Sequence, residues 1–145
     1  MKVVHLARRF FLSVSRRQPS AADVEWVQGH LLAGEACLWE RMTVQDRRHS
    51  LLVARRFVAL AETAGREEIA GALLHDVGKV DCGLGTSMRV VATLVGPRTA
   101  RFRRYHDHER IGADLLRAVG SSPVTIELLV GGGPLAAQLR AADDI

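Results

Sequence analysis

At 145 residues the chain has the length of one ordinary globular domain, which leaves no room for a fused second catalytic or sensory module. Hydrophobic residues make up 48% and charged residues 25%, the balance of a folded domain, and this excludes whole-chain disorder. Twenty basic against 16 acidic residues give a net charge of +4, enough to favour an anionic ligand but modest for a dedicated nucleic-acid binder, so that partner is disfavoured.

The first seventeen residues, MKVVHLARRFFLSVSRR, carry five basic and no acidic side chains, and Arg8 and Arg9 interrupt the apolar run that a secretory signal requires. We expect an amphipathic helix over 3–17 packed on the core rather than on a membrane, and a cytoplasmic location. Cys37 and Cys82 are too few for a disulfide framework and lack C-x-x-C spacing, so both read as free thiols. The longest stretch without charge or histidine is twelve residues, Leu128 to Leu139, and it contains Gly-Gly-Gly-Pro. A spanning helix needs about 20 apolar residues, so none is expected.

Apolar residues recur at intervals of three and four almost throughout and strict alternation is nearly absent, which predicts an all-α chain; Val90, Val91 and Val95 are the one place for a strand. After 3–17, helices are expected over 21–32, 35–41, 44–64, 66–76, 87–95, 99–119 (broken), 123–130 and 134–144. Three starts are marked by caps: Ser20 with Asp23, Thr43 with Asp46, and Ser122 before Pro123. Gly65, the Gly78–Gly85 loop, Gly96-Pro97, Gly120 and Gly131-Gly132-Gly133-Pro134 supply the breaks, all too short for a domain boundary.

Two histidines occupy places that structure alone explains poorly. His49 lies one turn before Leu52 and Val53, on a stripe continued by Phe57 and Leu60, so its imidazole is expected to face inward. The stripe Ile69, Leu73, Asp76 and Val77 puts a carboxylate at an interior position beside His75. A buried ionised carboxylate is costly unless it is paired or bound to a metal. Of the adjacent pair near the end, Asp143 continues the Leu135–Leu139 stripe, whereas Asp144 falls four residues after Arg140 on the charged side and would pair with it. The 18 arginines make any one of them uninformative, while Lys79 is one of only two lysines.

His49 in DRRHSLLVA, His75-Asp76-Val77-Gly78-Lys79 after 25 intervening residues, and Asp143 in LRAADD, with 66 residues between it and Asp76, resemble the H…HD…D signature of the HD-domain metal-dependent phosphohydrolases. The resemblance covers residues 40 to 145 and is nearest to small stand-alone bacterial members. It implies a single-domain helical bundle, with 1–40 a helical segment packed on an HD domain over 41–145. It also implies one divalent ion held by His49, His75, Asp76 and Asp143. Imidazole with carboxylate suits manganese, iron, cobalt, nickel, zinc or magnesium without choosing among them.

In such a protein Asp76, besides ligating, would orient or deprotonate a water, and Lys79 would neutralise a phosphate. His108, with Gly112 and Ala113, matches the family's H-x-x-x-G-A segment and is expected on the substrate side or behind the ligands, the alternative being a plain helix-start residue. Where two-metal relatives place a His-His pair, this chain has Gly131-Gly132-Gly133, so a mononuclear site is expected. The implied activity is hydrolysis of a phosphate ester, with a small anionic phosphate-containing ligand such as a nucleotide. The alternative is a catalytically degenerate HD module with a regulatory, nucleotide-binding or interaction role. The arginines between 89 and 104 could rim an anion site or form a solvated basic face.

Overall fold

The computed structural model describes residues 17–81 and 107–144. Over these residues the chain is all-α, with seven α-helices and one 3-10 helix and no strand. The helices are α1 (Ala21–Gln28), α2 (Ala33–Arg41), α3 (Val44–Leu60), α4 (Arg66–Leu73), α5 (His108–Ala118), α6 (Pro123–Leu129) and α7 (Ala136–Asp143), and the 3-10 helix spans Val77–Asp81. The helices expected at 3–17 and 87–95, the first part of 99–119, Cys82 and the arginines from 89 to 104 lie outside the described residues.

The starts follow local chemistry. Ser20 Oγ accepts the Asp23 N–H at 3.1 Å while Asp23 Oδ2 accepts the Ser20 N–H at 3.2 Å, a capping box at α1. Thr43 Oγ1 accepts the Asp46 N–H at 3.1 Å, and Ser122 Oγ accepts the Thr125 N–H at 3.2 Å ahead of α6, which has Pro123 at its first position.

The ends differ more from expectation. α1 stops at Gln28 instead of 32, because Gly29 is a poor helix former and the His30 ring Nδ1 takes the Trp26 carbonyl at 2.7 Å. α3 stops at Leu60 instead of 64, where Ala64 N–H turns back to Ala61 O ahead of Gly65, the N-cap of α4. α4 stops at Leu73 instead of 76, so His75 and Asp76 sit in a turn that tightens into the 3-10 helix. There Val77 N–H bonds Leu74 O and Lys79 N–H bonds Asp76 O.

The triglycine ends α6. Gly131 N–H bonds Leu128 O and Gly132 N–H bonds Glu127 O, a Schellman turn in which Gly131 has φ +82°, a conformation that a Cβ disfavours.

α3 packs on α4 and α7, α4 packs on α6, and α5 packs on the 3-10 helix and α6. Trp39, Phe57, Leu73, Leu74 and Leu116 are the largest fully buried apolar side chains, and Val27 and Leu38 from the first half join the same core. On α3 the buried face is Ser50, Leu51, Val53, Ala54 and Phe57, whereas Leu52 is 37% and Leu60 51% exposed, so the expected stripe through those two leucines is corrected. α4, α7 and Trp39 of α2, whose Nε1 donates to Ser50 Oγ at 3.0 Å, cover α3, and the covered arc follows their positions rather than leucine spacing. His49 lies at its edge, with a half-buried side chain.

Candidate metal site

Three remote parts of the chain meet at one place. α3 presents His49, the turn after α4 presents His75 and the last turn of α7 presents Asp143. His49 Nε2 is 2.9 Å and His75 Nε2 is 3.5 Å from Asp143 Oδ1. One donor atom from each of the three lies within 4.8 Å of the others, the spacing of a group that could share a metal ion.

His75 supplies the most specific fit to such an ion. Its Nδ1 donates to the Ala72 carbonyl at 2.8 Å, a helix-end acceptor that needs a donor, and this fixes the ring. The Nε2 is buried and has no hydrogen-bond partner among the described residues. A buried imidazole nitrogen left without a partner is costly, and a cation at the meeting point of the three residues would remove that cost. The donor set, nitrogen and carboxylate oxygen without thiolate, suits a divalent metal of borderline character.

Asp76 lies beside this group rather than inside it. Its Oδ2 is 3.5 Å from His75 Nε2 and 2.6 Å from Lys79 Nζ, while its Oδ1 is 3.7 Å from His108 Nε2. All six residues singled out from the sequence therefore lie together, with His49, His75 and Asp143 as the compact group and Lys79 and His108 against Asp76 beside it. Asp144 is exposed; the expected pair with Arg140 does not form, since Arg140 Nη1 reaches the Gly131 carbonyl at 3.5 Å.

The electrostatics ask for positive charge. Burial would push His75 down, but the carboxylates of Asp76 and Asp143 outweigh it and raise its pKa from 6.5 to about 9. Burial would raise Asp76, yet the charges of His75 and Lys79 hold it well below the usual carboxylate range. Asp143 is likewise held low against burial, by the hydrogen bond from His49 and by the His75 imidazole that faces the same oxygen.

Two glycines that the sequence marked only as a turn and a motif match have a spatial role. A Cβ on Gly78 would collide with the His108 carbonyl and stand 2.8 Å from Gly112 N, and a Cβ on Gly112 would stand 3.2 Å from Gly78 N. The 3-10 helix and α5 thus meet backbone to backbone, which seats His108 near Asp76. A glycine inside an amphipathic helix such as α5, about 1 kcal/mol worse there than alanine, was the available signal.

No helix among the described residues is long and apolar enough to cross a membrane. No curated protein and no solved structure matches the chain. The family comparison gives a match to the HD domain over residues 47–130, a span that includes His49, His75, Asp76, Lys79 and His108 and ends before Asp143. With more than half of its length matched and an all-α architecture, the chain belongs to the HD-domain family.

Proposed function

We propose that this HD-domain protein hydrolyses a phosphate ester by means of one divalent ion held by His49, His75, Asp76 and Asp143. The observation that carries the reading is the buried, unpartnered Nε2 of His75, which faces the same carboxylate oxygen as His49. A divalent ion bound there supplies a Lewis acid for a phosphoryl oxygen and a water of lowered pKa. The remaining work falls to side chains. Asp76 stays ionised, because its pKa is held low, which suits it to orient an attacking water more than to keep a proton. Lys79 brings a positive charge toward the transferring phosphoryl group, and His108 faces the other oxygen of Asp76.

The ligand is a small phosphate-containing anion, with nucleotides as the first class to try. The test is metal content of protein purified without chelator, followed by phosphate release from a panel of nucleotides and simple monoesters. Bound metal with release lost in His75→Ala supports the hydrolase; bound metal with no release from any compound favours a regulatory or nucleotide-binding module. One feature speaks for that second reading: the triglycine after α6 serves as a helix stop and offers no side-chain ligand.

A further inference from the structure

Asp76 is claimed from two directions. One of its oxygens, Oδ2, lies 2.6 Å from Lys79 Nζ and 3.5 Å from His75 Nε2, so the ammonium and the nitrogen of the metal group face the same atom. Both members of the Asp76–Lys79 pair are withdrawn from water, with 8% and 16% of their side chains exposed. A shielded pair of this kind is held firmly, and a second cation sharing that oxygen is repelled by the first. Lys79 therefore opposes recruitment of Asp76 by a metal for as long as the ammonium stays on that oxygen.

Charge balance points the same way. With a divalent ion bound and both imidazoles neutral, as ligation requires, the ion, Asp76, Asp143 and Lys79 together carry one net positive charge. An anion arriving at that moment meets both the ion and an ammonium on a flexible four-carbon stem.

We propose that Lys79 is an exchangeable partner of Asp76: it holds the carboxylate while no phosphate is present and passes to the phosphate when one binds, so that metal and phosphate each tighten the binding of the other. This rests on the metal reading above and extends it from a set of ligands to a coupling between two of them. The protein would then hold its metal most tightly when a phosphate is present, and Lys79 would set the size of the difference.

The test is titration of Mn2+ into the full-length protein by calorimetry, with and without inorganic phosphate. The unaltered protein is expected to bind Mn2+ at least about 5-fold tighter in phosphate, and by reciprocity phosphate should bind tighter by the same factor when Mn2+ is present. Lys79→Gln is expected to reverse sign between the two conditions: tighter Mn2+ binding than the unaltered protein without phosphate, because Asp76 is released, and weaker binding with it. Lys79→Arg, which keeps the charge, should retain the coupling. A purely structural role for Lys79 moves both affinities in one direction, and that result, or full coupling retained in Lys79→Gln, overturns the proposal while leaving the metal reading intact. If the unaltered protein binds no Mn2+ in either buffer, the metal reading falls and the coupling falls with it.

Discussion

Gly78 lies so close to the His108 carbonyl that not even a methyl group fits between them. The contact joins the turn and 3-10 helix that carry His75, Asp76 and Lys79 to the helix that carries His108, and it fixes how far apart the two halves of the site stand.

Gly78→Ala is accordingly expected to cost about 1–3 kcal/mol, as overpacking does in tight sites. Gly29→Ala is its control: that residue has φ −65° and a new Cβ would meet only ordinary contacts at 3.5 Å, so stability should hold or rise by up to about 1 kcal/mol. Urea denaturation of both variants checks this, and equal effects would show that the packing of α5 does not depend on a bare Gly78.

The two aspartates at the end of α7 should separate sharply. Asp143 meets both imidazoles, whereas Asp144 is exposed and has no pair with Arg140. We expect Asp143→Asn and His75→Ala to abolish tight metal binding, and Asp144→Asn to change affinity less than 2-fold, within the roughly 0.5 kcal/mol typical of surface changes. Calorimetry with Mn2+ reads all three. Comparable losses at both aspartates would mean that the pair acts together.

Metal-free stability should depend on pH through the same residues. His75 holds its proton more tightly when folded, with a pKa of about 9 against 6.5, so its contribution is complete below about pH 6.5 and disappears as pH rises through 9. That loss amounts to about 3 kcal/mol at most. Asp76 and Asp143 are shifted down, so theirs is present above about pH 4 and fades as the solution becomes more acidic. Metal binding runs the other way, because His75 must lose its proton to ligate, and affinity should climb between pH 6.5 and 9. Chelator-treated protein that is equally stable to urea at pH 6 and pH 9 would refute the assignment.

One tight metal per chain is the expected stoichiometry. Among the described residues a single group of three ligating side chains is suitably placed, and the triglycine adds none. Elemental analysis after dialysis decides the point, and a ratio near two would require ligands outside this group.

What the sequence made legible was local. The caps at Ser20, Thr43 and Ser122 depend on neighbours three residues away, and the facing of Asp143 against Asp144 follows from helical repeat alone. Helix ends were harder, because His30 and His75 stop their helices by taking a carbonyl, a choice that spacing does not reveal. The outward turn of Leu52 and Leu60 depends on where α4 and α7 cover α3. The meeting of Gly78 with Gly112 and the grip of Lys79 on Asp76 are tertiary facts, and motif spacing carries the residues without carrying their distances.

The hydrogen bond from His49 to Asp143 spans 94 positions of sequence and ends on α7, a helix of eight residues. A helix that short is not stable by itself in water and stays folded only while docked, here through the burial of Leu139 and Ala142. Detaching α7 would remove a metal ligand while Trp39, Phe57 and Leu73 remained packed, so occupancy of the site can be lost by a local opening that leaves the rest of the bundle standing. Amide exchange in α7 then becomes a gauge of loading: its protons should trade with solvent more slowly as metal is added, while those in the middle of α3 hardly change.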